Sequence, residues 1–192
     1  MLQSFRTVWR HPPSRAVALV FALVSLFVGS WFARIPEVQT SLGLSEAALG
    51  FVLLGLPLGT LIVMPLTGWL VARHGAGRVT FVAALVQGVP FLVLPAVGQP
   101  LGLVSVLVGV GMLNGILNVA MNARATAVEE AREEAIMSTC HGFFSVGGML
   151  GAGAGSAAAA VGLSLGGQFV GLVAVGGAVV GLHRSVLLGG PE

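Results

Sequence analysis

Three asparagines recur at every fourth residue in LNGILNVAMNARA, residues 113–125: Asn114, Asn118 and Asn122. On a helix that spacing keeps the amides on one face, drifting by about 40° per step because four residues overshoot a 3.6-residue turn. A carboxamide donates and accepts hydrogen bonds but has no titratable proton. Such a stripe can bind a polar solute or tie helices together, but it cannot relay protons. Few other groups carry chemistry. His141 and Ser145 stand four apart, Arg34 and Glu37 flank Pro36, Arg73 and Arg78 bracket Gly75, and Gln87 and Gln168 are isolated amides in apolar runs. A rhomboid-like Ser–His protease would take its histidine from another helix and set its serine in a G-x-S-x-G-like elbow, which is missing here. A water channel would need paired Asn-Pro-Ala half-helices, and the chain has none. Metal-ligand clusters, phosphate loops and nucleotide-binding motifs are likewise missing, so neither a cofactor nor an enzymatic activity is expected.

The elements that carry these residues follow from composition. Of 192 residues, 56% are hydrophobic and only 8% charged, with a mean hydropathy of +0.98. A soluble domain has about 25% charged residues, so this composition predicts an all-α integral membrane protein. All cations are arginine and all acids glutamate, with no Lys, Asp or Tyr, as a GC-biased genome would produce. The arginines sit at segment ends, so the pI near 10.0 does not point to nucleic acid. A single cysteine, Cys140, rules out an internal disulfide.

A spanning helix needs about 20 apolar residues. Six segments qualify, forming one bundle over residues 1–192: approximately 16–33, 47–71, 79–97, 101–123, 137–161 and 164–182. The first follows Arg6, Arg10 and Arg15 but is longer than a signal-peptide core and lacks an A-x-A site, so it reads as an uncleaved first span. Eight arginines then fall on one side of the membrane and only Arg34 on the other. The positive-inside rule predicts both termini in the cytoplasm. Trp9, Trp31 and Trp69 are expected at the interfaces as an aromatic belt. Gly147, Gly151 and Gly155, spaced by four, predict a helix-packing ridge, with a hinge as the sharper alternative. Pro57, Pro65, Pro90 and Pro95 predict local kinks in the second and third spans. Residues 124–136 read as a short cytoplasmic surface helix whose Glu129, Glu130, Glu133 and Glu134 form a solvated face.

Two stretches resemble a known family. GWLVARHGAGR, residues 68–78, resembles the loop signature of the major facilitator superfamily, Gly-x-Leu-x-Asp-Arg-x-Gly followed by basic residues. Gly68, Leu70, Arg73, Gly75 and Arg78 match, while Ala72 replaces the family's Asp and Gly77 a usual cation. LNGILNVAMNARATAVE (113–129) and IMSTCHGFFSVGG (136–148) resemble the fucose-permease-like branch, through Asn114, Gly115, Ala120, Asn122, Ser138, His141, Phe144, Ser145, Gly147 and Gly148. WFARIPEVQTSLGLSEAALG, residues 31–50, is similar to that branch as well.

The resemblance implies the N-terminal six-helix half, built as a 3+3 inverted repeat, of a secondary transporter in a bacterial cytoplasmic (inner) membrane. It implies transport of a small solute, with a sugar-like one as the candidate, by alternating access, with a second half supplied by another copy or a separate chain. It assigns the substrate pathway to Asn114, Asn118, Asn122 and His141, which Arg34 joins as the one outer-side cation, and a conformational-switch loop to Gly68, Arg73, Gly75 and Arg78. The bland alternatives are interhelical glue for the amides, an interfacial ion pair for Arg34 and Glu37, and a membrane anchor for Arg73 and Arg78. Asn118 stands where the branch commonly has a carboxylate, so proton coupling through this position is not expected. A truncated or split-gene product inactive alone, and a multidrug-type efflux protein, are the alternative functions.

Overall fold

The computed structural model describes residues 8–189. Arg6 and the chain ends, to which part of the orientation argument was attached, lie outside the described residues. The described residues contain helices and no strand. Six helices are long and apolar enough to cross a membrane: α1 (Pro12–Ser41), α2 (Glu46–His74), α3 (Ala76–Ala96), α4 (Pro100–Arg132), α5 (Met137–Ala160) and α6 (Leu165–Leu182). A short α7 (Arg184–Leu188) follows.

Local chemistry explains where these helices begin, break and end. Ser45 caps α2 by accepting the Ala48 N–H, and Ser164 caps α6 by accepting the Gly167 N–H, each at 3.2 Å. Helix α2 is interrupted at Leu54, three residues before Pro57, and α3 at Gln87 and Gly88, just before Pro90. Each proline lacks the N–H that would bond the carbonyl four residues back, so regular helix is lost one turn upstream. Around Pro95 the chain tightens into a 3-10 turn, Leu94–Ala96. Helix α1 runs through Pro36 to Ser41, further than its apolar run predicts. Hydroxyls of Thr40 and Ser41 bond back to the Pro36 and Val38 carbonyls, each at 2.9 Å, and support this outer turn.

The predicted surface helix at 124–136 is instead the continuation of α4, which stops only where Glu133 turns left-handed at φ 53°. Residues 124–132 contain no glycine or proline, so nothing terminates the helix at the membrane boundary. Glu129 also departs from the solvated face. Its Oε1 accepts the Ile136 and Met137 N–H groups at 2.6 and 2.7 Å, capping the start of α5. Glu129→Ala is expected to lower stability by about 1–2 kcal/mol, the range for losing a helix cap, read as thermal unfolding in detergent. An unchanged midpoint would show that this cap contributes nothing.

Two helix pairs dominate the packing: α1 against α5, and α2 against α4. Both are lined by glycine. A Cβ on Gly147, Gly151 or Gly155 would run into the Ala22, Leu26 or Ser30 carbonyl of α1, and one on Gly29 would meet the Gly148 carbonyl. Across the second pair, Gly55 and Gly59 lie against the Val104 and Val108 carbonyls, and Gly111 against that of Leu56. These contacts correspond when the first three spans are matched to the last three, because α1 on α5 then becomes α4 on α2. In lipid, where apolar side chains gain little by leaving the solvent, such close backbone approach is what holds helices together. Helices α1, α3 and α6 share an aromatic stack: Phe91 lies 5.6 Å from Phe27 and 4.8 Å from Phe169, centroid to centroid. Gly88 leaves room for the Phe27 ring and Val173.

Candidate functional site

The asparagine stripe does not share one environment. Asn114, half-buried on α4, accepts a hydrogen bond at 3.3 Å from the Gln87 amide of α3. Gln87 also donates to the Val24 carbonyl of α1 at 3.2 Å, so one buried amide joins three helices. Its Oε1 is buried with no partner among the described residues. Asn118, one turn on, is exposed on the bundle surface. Asn122 is half-buried, and its Nδ2 donates to the Asn118 backbone carbonyl at 2.8 Å, with the Asn118 Oδ1 at 3.5 Å. Gln87 was expected from sequence as an isolated amide acting as interhelical glue; which groups it joins, Val24 and Asn114, depends on the crossing of α1, α3 and α4.

His141 opens α5 and is exposed, with the edge of its ring against Phe21 of α1 at 5.3 Å. Ser145 donates to the His141 backbone carbonyl at 3.2 Å rather than to its imidazole. The pair therefore has no nucleophile–base geometry. Asn118, His141 and Ser145 are exposed polar groups on helices that are otherwise apolar enough to span. A polar side chain facing hydrocarbon is costly, and in membrane proteins such groups commonly face a wet cavity or another protein surface.

Arg34 lies inside the bundle rather than at an open entrance, with only 1% of its side chain exposed. Its Nη2 meets Glu37 Oε2 at 2.7 Å and donates to the Leu163 carbonyl, in the turn between α5 and α6, at 2.9 Å. Its Nε and Nη1 are buried without a partner among the described residues, as is Nε1 of Trp31. Trp31 is thus a core residue and not part of the expected aromatic belt. It occupies the buried face of α1 one turn beyond Phe27, whereas Trp9 and Trp69 are each about half exposed. Gln168 of α6 donates to the Ser30 hydroxyl of α1 and so acts as interhelical glue.

The loop 68–78 is almost entirely helix. The turn between α2 and α3 is Gly75 alone, at φ 81°, a conformation that disfavours any side chain, and its N–H bonds the Val71 carbonyl at 2.9 Å. Gly68 faces open space. Arg73 folds back over the Trp69 ring at 5.6 Å, and Arg78 is exposed one turn into α3. Gly77 has no room for a Cβ because the Leu187 carbonyl of α7 lies against it. Arg124, buried at the same end of α4, donates to the Val186 and Gly189 carbonyls at 3.1 Å each and fastens α7 to the bundle. His11, which caps α1, has its pKa lowered by burial and then by Arg132, partly offset by Glu134. No group of three metal-ligating side chains occurs among the described residues.

No family model matches the chain. It is similar to curated membrane proteins, however. An uncharacterized MFS-type transporter of Yersinia pestis is 38% identical over 146 residues, covering 76% of this chain and 38% of the relative. An uncharacterized transporter of Sinorhizobium fredii is 38% identical over 148 residues, covering 74% of this chain and 38% of the relative. The membrane protein MosC of Rhizobium meliloti is 31% identical over 132 residues, covering 69% and 32% respectively. The chain thus matches well under half the length of these relatives. With six apolar spanning helices, a major-facilitator loop pattern and these relatives together, the chain belongs to the major facilitator superfamily of membrane proteins.

Proposed function

We propose that this chain forms one six-helix half of a secondary transporter of the bacterial cytoplasmic membrane, with both termini inside, and works by alternating access against a second half. The observation that carries this reading is the set of polar groups exposed on its spanning helices, Asn118 above all. One bundle offers one wall of a cavity, and the aligned relatives are more than twice as long as the matched region. The second half is another six-helix bundle. Asn118, Asn122 and His141 contact the solute, Asn114 is held in place by Gln87, and Arg34 stabilises the outer end of the pathway. Gly68, Arg73, Gly75 and Arg78 form the switch between conformations. The fucose-permease-like motifs favour a sugar-like solute.

Reconstitution of the isolated, monomeric chain is expected to give no sugar uptake; rapid saturable uptake would refute the need for a second half. With a functional partner, Asn118→Asp is expected to steepen the pH dependence of uptake, since it restores a titratable group at the position where the branch has one. An unchanged pH profile would remove this position from the coupling path.

A further inference from the structure

A groove of about 370 Å³ runs between α2, α3 and α4, and the function proposed above does not use it. Val79, Val82, Val86, Leu113 and Ile116 make its walls, and His74 and Arg78 stand at one end. Val82 is 55% exposed, so the groove opens sideways from the bundle. A polar solute finds no partner on these walls, because Asn114, next to Leu113, bonds to Gln87 instead.

The basic end is short of acceptors. Arg73 lies on Trp69, and His74 packs its edge against the same ring at 6.1 Å. Arg78 makes no ion pair among the described residues, and Ala72 leaves this turn without the acid expected there. An apolar slot at membrane depth ending in a cation at the headgroup boundary is complementary to one kind of molecule. It matches an acyl chain joined to a phosphate.

We propose that this groove holds one acyl chain of an anionic phospholipid whose phosphate is bound by Arg78, with His74 beside it. The leaflet concerned is the cytoplasmic one, and this detail alone rests on the orientation proposed above. The lipid covers an apolar surface that α2 and α3 otherwise leave open, beside the single-residue turn at Gly75, and so braces that turn.

Native mass spectrometry of the delipidated full chain in detergent tests the site independently of transport and orientation. Phosphatidylglycerol and phosphatidylcholine with identical acyl chains are titrated separately. One phosphatidylglycerol is expected to bind about fivefold more tightly, the factor for roughly one arginine near an anionic surface. Arg78→Gln is expected to abolish that preference and Arg78→Lys to keep it, while Ala83→Phe, which narrows the groove, weakens both lipids. Arg10→Gln, away from this groove beside His11, Arg132 and Glu134, is expected to change nothing. Equal affinity for the two lipids, a preference that survives Arg78→Gln, competition by millimolar inorganic phosphate alone, or a second copy of the chain displacing the lipid would each overturn the proposal. Saturable uptake by the isolated monomeric chain, or a reversed topology found by labelling of terminal cysteines, would overturn the functional reading without touching this result.

Discussion

Gly151→Leu is expected to prevent the bundle from assembling, at a cost of at least about 3 kcal/mol, the upper end of the usual range for overpacking. The obstruction is backbone, since a Cβ at this position would run into the Leu26 carbonyl of α1. A side chain in the way could rotate aside, but a carbonyl within a helix cannot. Relief would require α5 to move off α1, and Gly147 and Gly155 hold the same ridge one turn away on either side. The control is Gly153→Ala on the same helix. Nothing lies within 4 Å of a Cβ there, so removing a helical glycine should be neutral or stabilise by about 0.5–1 kcal/mol. Thermal unfolding in detergent, with the monodisperse fraction on gel filtration, reads both variants. Equal midpoints for Gly151→Leu and the parent would mean that α1 and α5 are not in backbone contact.

Glu37→Ala carries the second large effect, about 3 kcal/mol of destabilisation, because it strips a buried cation of its counter-ion. Arg34 is 1% exposed and, among the described residues, is met by Glu37 and the Leu163 carbonyl, both through Nη2. Glu37 is 48% exposed, so part of its charge is already screened by solvent, and the loss lies at the lower end for a broken buried pair. The sign of a double substitution is the sharper measurement. Removing both charges, as Arg34→Leu with Glu37→Ala, is expected to be more stable than Glu37→Ala alone, since no unpaired charge is left in the bundle. A double variant no more stable than Glu37→Ala would mean that Arg34 is not desolvated.

The spans were legible because a membrane helix is written in a long run of apolar residues, which needs no partner to be recognised. The glycine ridge at 147, 151 and 155 was legible for a related reason, since close approach demands the one residue without a side chain. The ends of α1 and α4 were not. Apolar runs mark the depth of lipid, whereas a helix continues through polar residues until its backbone hydrogen bonding is broken. Helix α1 continues even through Pro36, and α4 runs on through residues 124–132, which contain neither glycine nor proline, to the left-handed Glu133. Glu129 was misread for want of a partner in sequence: its acceptor role depends on the chain folding back so that Ile136 and Met137 meet it. Trp31 was placed at the interface by its position near a helix end, yet its direction around α1 points into the core.

The candidate site divides in the same way. Residue types and spacing determined by themselves that this is a multi-pass membrane protein with six apolar spanning segments in this stretch, that polar amides lie on α4, and that a basic, glycine-containing turn joins α2 to α3. These are properties of a helix taken alone: its length, its faces and its ends. Only the tertiary structure decided which amide is bound and which is open. Asn114 and Asn118 differ by one turn and are chemically identical, but the crossing of α3 puts Gln87 against the first and leaves the second exposed. Helix packing also decided that Arg34 is buried, against the turn between α5 and α6, and that an apolar groove ends at Arg78. Such outcomes depend on how far one helix lies from another, a distance set by the glycines of both partners together, which neither segment encodes alone.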